Sequence, residues 1–261
     1  MTTAEIRGAQ IYFETFGEPA FDRDPVILIH GSYITGSVDW GEVAPLIARE
    51  FQVIVPDCRG HGRSSDPAGR YSFREMAADV AELIRQLGFQ RAHVIGHSNG
   101  GNVALVTLME HSDVVASCVP QAANAYVSQD LVDRIPKKLD PDRVRIEDPD
   151  LMREMIALHS EHHGSEYWKT LLRRTAQEII SEPRYTPADL AKVRRPTLVI
   201  EGALDATNAP ARHGHFIAEH IPGSELWTPD GIGHNVHTEI PGEWCERVLR
   251  FLRESTERTA L

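Results

Sequence analysis

A serine flanked by glycines is the first feature of this sequence that could carry chemistry. The segment 96–100 reads Gly-His-Ser-Asn-Gly and matches the pattern G-x-S-x-G. A strand-like run from Ala92 to Ile95 precedes it, and a helical pattern from Asn102 to Met109 follows it. A serine on such a sharp strand-to-helix turn exposes its hydroxyl to a substrate. We therefore predict that Ser98 is the nucleophile of an acyl-transfer reaction.

A serine hydroxyl is a weak nucleophile near neutral pH, so it needs a histidine base that is held by an acid. In a strand–turn–helix setting the expected chain order is serine, acid, histidine. Asp205 follows the strand-like run from Thr197 to Ile200, and His234 follows the run around Trp227. We predict a catalytic triad of Ser98, Asp205 and His234.

Other residues near His234 compete for these roles. Asp230 and Glu239 are alternative acids, and His237 is an alternative base. Neither acid follows the end of a strand as Asp205 does. Glycines on both sides of the Ile232 position favour a loop that delivers His234 into a crowded site.

The tetrahedral intermediate of acyl transfer needs donors for its oxyanion. The backbone N–H of Asn99, next to the nucleophile, is one candidate. The second is the backbone N–H of Ser32, in the loop that follows the strand-like run from Val26 to Ile29. These two groups form the predicted oxyanion hole.

The elements that position these residues alternate between strands and helices, which predicts an α/β fold with a mostly parallel sheet. Residues 128–190 interrupt the alternation with a charged segment rich in helix formers. We expect a core at 1–127 and 191–261, with a helical lid at 128–190 over the carboxyl ends of the strands. Further strands are expected at Gln10–Phe16, Phe51–Pro56, Val114–Val119 and Glu225–Trp227, and helices at Ser72–Leu87 and Trp244–Leu252.

Aromatic and histidine residues near the lid are further candidates. Tyr33, Tyr126 and Trp168 are expected to line a substrate pocket, although packing of the lid on the core explains such residues equally well. His159 and His163 could share a helix face, but no H-E-x-x-H pattern accompanies them. We expect a solvated or lid-surface role for them and no metal site.

Composition narrows the functional classes. A hydrophobic content of 41% is ordinary for a globular protein, and a net charge of −11 argues against a nucleic-acid partner. The longest apolar run is too short to span a bilayer, and the N-terminus lacks the pattern of a secretory signal. Three cysteines without CxxC spacing fit reduced thiols, so we expect a cytoplasmic protein without a membrane partner.

The sequence resembles the α/β-hydrolase family over essentially its whole length, most weakly in the insertion. The motifs that carry the resemblance are His30-Gly31, Asp57-x-Arg59-Gly60-His61-Gly62-x-Ser64, the segment 96–100, Gly202-x-x-Asp205 and Gly233-His234. This resemblance implies an eight-stranded sheet flanked by helices and a serine esterase that uses no cofactor or metal. Epoxide hydrolases and haloalkane dehalogenases of this fold need a carboxylate where this chain has Ser98.

More narrowly, the sequence is similar to the valacyclovir-hydrolase (biphenyl-hydrolase-like) branch, through the segments 122–127, 215–224 and 234–237. That branch implies a preference for α-amino esters, in which an acidic residue after the nucleophile binds the ammonium group. Asn99 occupies this position and carries no charge, so we expect a neutral carboxylic ester or a lactone instead. Other serine-triad chemistry (C–C bond hydrolysis, perhydrolysis or acyl transfer) and a non-catalytic ligand receptor remain alternatives.

Overall fold

The computed structural model describes residues 2–19, 23–208 and 212–259. In this part of the chain eight strands form one sheet, in the order β1-β2-β4-β3-β5-β6-β7-β8. The pairs β1–β2 and β2–β4 are antiparallel, and the other pairs are parallel. The strands are β1 Thr2–Ile6, β2 Ala9–Phe16, β3 Val26–Ile29, β4 Val53–Pro56, β5 Ala92–His97, β6 Val115–Gln121, β7 Leu198–Ile200 and β8 Glu225–Trp227.

Helices flank the sheet on both faces. Outside the insertion they are α1 Gly36–Trp40, α2 Ala44–Ile47, α3 Phe73–Gln86, α4 Asn99–Glu110, α10 Gly214–His220, α11 Val236–Glu239 and α12 Pro241–Thr259. Within the insertion they are α5 Gln129–Lys138, α6 Pro141–Glu147, α7 Pro149–His163, α8 Tyr167–Ile179 and α9 Pro187–Leu190. Of the helices that the structure describes, none is long and apolar enough to cross a bilayer.

The central strands are apolar on both faces because each face packs against helices. In β3, Ile27 and Ile29 belong to the hydrophobic cluster that includes α3 and α4. Val26 and Leu28 face the opposite cluster, which includes α2 and α12. Since successive side chains of a strand point to opposite faces, a fully apolar run is what a doubly covered strand requires.

The fold confirms the predicted α/β class and the mostly parallel eight-stranded sheet. The predicted helix from Ser72 also forms, and the Ser72 side chain caps it by accepting a hydrogen bond from the Glu75 N–H at 3.1 Å. The edge strand β1 was not predicted, because its residues are polar and mostly exposed. The insertion is helical as expected, and its helix α8 packs Leu171 and Leu172 into the core.

Ser98 occupies the turn between β5 and α4, with φ 55° and ψ −118°. A Cβ atom at Gly96 would lie 1.9 Å from the Gly100 carbonyl oxygen, and one at Gly100 would lie 2.1 Å from the Ile29 carbonyl oxygen. These backbone atoms leave no room for any side chain. Glycine at both positions therefore lets α4 start directly above the ends of β3 and β5.

We predict that Gly100→Ala lowers the free energy of unfolding by about 1–3 kcal/mol or more, because the added methyl group overpacks a site enclosed by backbone. Urea denaturation measures the change. Gly242→Ala is the matched control, since a Cβ there has no neighbour within 4 Å. The control is expected to keep or raise stability by up to about 1 kcal/mol, as alanine is the better helix former. Equal stability of both variants would contradict the close approach at Gly100.

Candidate active site

The three predicted triad residues lie in one hydrogen-bonded chain. His234 Nε2 lies 3.0 Å from Ser98 Oγ, and His234 Nδ1 lies 2.7 Å from Asp205 Oδ2. The carboxylate accepts the Nδ1–H, so the Nε2 lone pair faces the serine hydroxyl. This is the proton arrangement that general-base activation of a serine requires.

Asp205 is held by its own loop as well as by His234. Its Oδ1 accepts hydrogen bonds from the backbone N–H groups of Thr207 and Asn208, at 2.7 and 2.9 Å. Burial raises the pKa of Asp205, but the hydrogen bond from His234 and its other donors outweigh burial and set the pKa to about 2. Asp205 therefore carries its charge throughout the neutral range.

A second acid lies beside this carboxylate. Glu201 is fully buried. Burial, followed by the interaction with the adjacent Asp205 carboxyl group, raises the pKa of Glu201 well above the usual range for a carboxyl group. The pKa values of the two acids are thus pushed apart, and the negative charge stays on the residue that contacts His234.

The predicted oxyanion donors lie on two different elements beside Ser98. Asn99 is the first residue of α4, where backbone N–H groups have no partner within the helix. Ser32 lies in the loop after β3. Both residues line the cavity that Ser98 and His234 also line.

This cavity has a volume of about 400 Å³. The triad side is polar, whereas helices α5 and α8 of the insertion contribute apolar side chains. The apolar lining residues from these helices and the turn after α5 are Leu131, Ile135, Leu139 and Ile179.

Of the three predicted pocket aromatics, the structure brings only Tyr33 to the cavity. Trp168 is 3% exposed and packs in the hydrophobic core, which is the alternative that its sequence pattern left open. Tyr126 packs against Phe216, and its hydroxyl donates to the Arg212 carbonyl oxygen at 3.2 Å. Trp168 thus anchors α8 in the core, and Tyr126 contacts α10 and the residue Arg212 before it.

The competing residues of the last loop have other partners. Glu239 accepts hydrogen bonds from the backbone N–H groups of Gly233 and Asn235, at 3.0 and 3.1 Å, and so shapes the loop that carries His234. Asp230 is exposed. His237 points away from Ser98 into a buried polar cluster.

The centre of that cluster is Asp39, which sequence reasoning missed. Its carboxylate accepts hydrogen bonds from the Gly31 N–H at 2.8 Å, from His97 Nδ1 at 3.0 Å and from His237 Nε2 at 3.1 Å. One carboxylate thus joins the predicted oxyanion loop, the residue before the nucleophile and the helix after His234. Asp39 belongs to no recognisable motif, so the sequence around it carries no signal of this role.

Asp39, His97 and His237 are the one group in the described part of the chain whose candidate metal-ligand atoms all lie within 4.8 Å of one another. The hydrogen bonds around them oppose metal binding. Trp244 Nε1 donates to Gln121 Oε1 at 2.7 Å, so Gln121 Nε2 faces His237 Nδ1 at 2.8 Å. His237 must then carry its proton on Nε2, which is the atom that a metal would need.

Glu178 is a further buried acid near the nucleophile. It is 4% exposed, and its Oε2 lies 3.4 Å from the side-chain nitrogen of Asn99. Burial, with a smaller contribution from Glu182, raises the pKa of Glu178 well above its usual range. The side chain beside Ser98 is therefore the uncharged Asn99 amide, which contacts a buried carboxyl group whose ionisation is disfavoured.

We predict that Asp39→Asn lowers the free energy of unfolding by on the order of 3 kcal/mol at pH 7, because three donors lose their charged acceptor. Burial raises the pKa of Asp39, but His97 and His237 outweigh burial and hold it well below its usual range. A depressed pKa stabilises the fold above the ordinary carboxyl pKa of about 4, and this contribution is lost as the pH falls below it.

The gap in unfolding free energy between wild type and Asp39→Asn should therefore narrow below about pH 4. Urea denaturation at several pH values measures it. Asp142→Asn is the control, since that side chain is 79% exposed. A gap that stays the same down to acidic pH would show that Asp39 is not a charged acceptor.

Comparison with known proteins finds a matching family model and similar proteins. The α/β-hydrolase fold model matches residues 24–179. A fluoroacetate dehalogenase from a Burkholderia species is 42% identical over 115 residues, which span 42% of this chain and 38% of that relative. The serine hydrolase BPHL of Homo sapiens is 25% identical over 261 residues, which span 95% of this chain and 84% of that relative.

A solved structure of a thermophilic esterase from Thermogutta terrifontis is also similar. It superposes with a TM-score of 0.76 at 25% identity, and the match covers 98% of this chain and 100% of the other. The matched family model spans more than half of the sequence, and the resemblance expected from the motifs is confirmed. The chain belongs to the α/β-hydrolase fold family.

Proposed function

We propose that this protein is a serine hydrolase that cleaves a carboxylic ester or a lactone of a small molecule. The observation that carries the proposal is the hydrogen-bonded chain from Asp205 through His234 to Ser98, which opens onto a cavity. The similarity to serine hydrolase BPHL and to the Thermogutta esterase supports the same reaction class.

In this mechanism His234 Nε2 takes the proton of the Ser98 hydroxyl as the oxygen attacks the substrate carbonyl. Asp205 keeps the imidazole in the required tautomer and stabilises its positive charge. The backbone N–H groups of Ser32 and Asn99 donate to the oxyanion. His234 then protonates the leaving alkoxide, and a water molecule, activated in turn by His234, releases the acid from Ser98.

The cavity and the charges near Ser98 indicate the substrate class. A cavity of about 400 Å³ suits a small molecule, and the apolar side chains of α5 and α8 suit a hydrocarbon portion. Asn99 lines this cavity and offers an uncharged amide beside Ser98, while Glu178 contacts the Asn99 amide and is not among the lining residues. Lys138 and Glu154 of the insertion also line the cavity. The uncharged Asn99, directly after the nucleophile, supports a neutral acyl group over an α-amino ester.

We further propose that residues 128–190 act as the lid of this site, since α5 and α8 cover the cavity. The three cysteines of the protein are free and buried, which supports a reducing compartment such as the cytoplasm. We do not propose a dehalogenase activity for this chain. Dehalogenases of this fold need a carboxylate nucleophile, and this chain has Ser98 at that position.

We predict that Ser98→Ala lowers kcat for short p-nitrophenyl esters by roughly 10⁴-fold or more, since the covalent step is lost. A fluorophosphonate should label the wild type at Ser98, as mapped by peptide mass spectrometry. Ser32→Ala is the control, because it removes a hydroxyl near the site and keeps the proposed backbone donor. Unchanged turnover in Ser98→Ala, or labelling at another residue, would refute the proposal. Labelling at Ser98 without turnover of any ester or lactone would favour a ligand receptor.

We predict that Asp205→Asn lowers kcat by about 10⁴-fold with little change in KM, because an amide favours the wrong tautomer of His234. Steady-state kinetics at neutral pH measure the effect. Asp230→Asn is the control, since Asp230 is exposed and lies outside the hydrogen-bonded chain of Asp205, His234 and Ser98. A loss in Asp230→Asn equal to that in Asp205→Asn would contradict the assignment of the acid.

A further inference from the structure

His159 connects the insertion to two core loops. It lies on α7 and is 1% exposed. Its Nδ1 lies 2.8 Å from the Gly62 backbone nitrogen, and its Nε2 lies 2.8 Å from the Tyr33 carbonyl oxygen. The expected solvated or lid-surface role of His159 is therefore wrong, because the side chain is buried between α7 and the loops it contacts.

These two contacts fix the protonation of the ring. The Gly62 N–H is a donor, so Nδ1 must be an unprotonated acceptor. The Tyr33 carbonyl is an acceptor, so Nε2 must carry the proton. Burial, the largest cause, lowers the pKa of His159 to about 4, which agrees with a neutral ring near pH 7.

The contact at Tyr33 acts on the loop that supplies an oxyanion donor. Tyr33 has φ 48°, in the left-handed region that a bulky side chain disfavours. On the other side, the Gly31 N–H is held by Asp39 Oδ2 at 2.8 Å. The peptide group that carries the Ser32 N–H lies between these two anchors.

We propose that His159 is a positioning residue, which holds the Tyr33 carbonyl so that the Ser32 N–H points toward the oxyanion. The inference rests on the proposed hydrolase function. His159 does not touch the reacting atoms and acts through the backbone of Tyr33. Since α7 belongs to the insertion, docking of the insertion completes the oxyanion hole as well as covering the cavity.

The neighbouring histidines of α7 do not share this arrangement. His162 is exposed. His163 stacks on the Tyr167 ring with the centroids 4.3 Å apart. The Tyr167 hydroxyl in turn donates to the Gly60 carbonyl oxygen at 2.9 Å, so these residues dock the insertion without reaching the oxyanion loop.

The test compares His159→Phe, which keeps an aromatic ring and loses both hydrogen bonds, with His159→Gln, whose amide offers one acceptor and one donor. We expect His159→Phe to lower kcat on p-nitrophenyl esters by roughly 10- to 100-fold, with KM changed less than about threefold. His159→Gln should recover most of kcat. His162→Ala is the control on the same helix and should match the wild type.

A second measurement does not depend on turnover. Hydrogen exchange followed by mass spectrometry should show amides in the segment 31–35 exchanging roughly tenfold faster or more in His159→Phe than in wild type. His159→Ala provides the same comparison if the phenylalanine variant does not fold. If wild type hydrolyses no ester, the proposed function fails and the exchange result alone decides this inference.

Three outcomes would overturn the role of His159. In the first, the folded variants match wild type both in kcat and in the exchange rate of the segment 31–35. In the second, KM increases at constant kcat, which would mean that His159 shapes substrate binding and not the oxyanion loop. Loss of stability with unchanged kcat would likewise assign a merely structural role.

Discussion

The close approach of backbones at the nucleophile turn is the constraint on which the site depends. Gly96 and Gly100 let α4 begin against the ends of β3 and β5, with Ser98 held at φ 55° between them. This single turn places Ser98 and Asn99 in the lining of the cavity and sets where the loops of Asp205 and His234 must come. The remaining strands then deliver Asp205 and His234 at the same edge of the sheet.

Polar side chains fix those loops in place. Asp205 is anchored by N–H groups of its own loop, and Glu239 shapes the loop of His234. Asp39 joins the loop after β3 to His97 of β5 and His237 of α11, and His159 contacts the same loop from the insertion. The Asp39 and His159 side chains are buried, where a hydrogen bond is electrostatically stronger than in water, whereas Glu239 makes its two hydrogen bonds at the surface. Rigidity at the site thus comes from hydrogen bonds made to backbone groups.

The triad could be predicted from the sequence because its chemistry demands particular residues in a particular order, at strand ends that apolar runs reveal. The central strands were equally visible. The edge strand β1 was not, since a polar, exposed strand has no apolar pattern. Asp39 was missed and His159 was wrongly expected to be solvated, because the partners His97 and Tyr33 lie 58 and 126 residues away and follow no period. Trp168 was placed in the pocket because an aromatic side chain fits a core and a cavity equally well by pattern.

The proposed reaction requires that Ser98 form a covalent acyl-enzyme. Rapid mixing with a p-nitrophenyl ester, acid quenching within milliseconds and mass spectrometry of the intact protein test it most directly. We expect a transient mass increase equal to the acyl group, located on the peptide that contains Ser98 and absent from Ser98→Ala. Turnover without any acyl adduct, or an adduct on another residue, would contradict it.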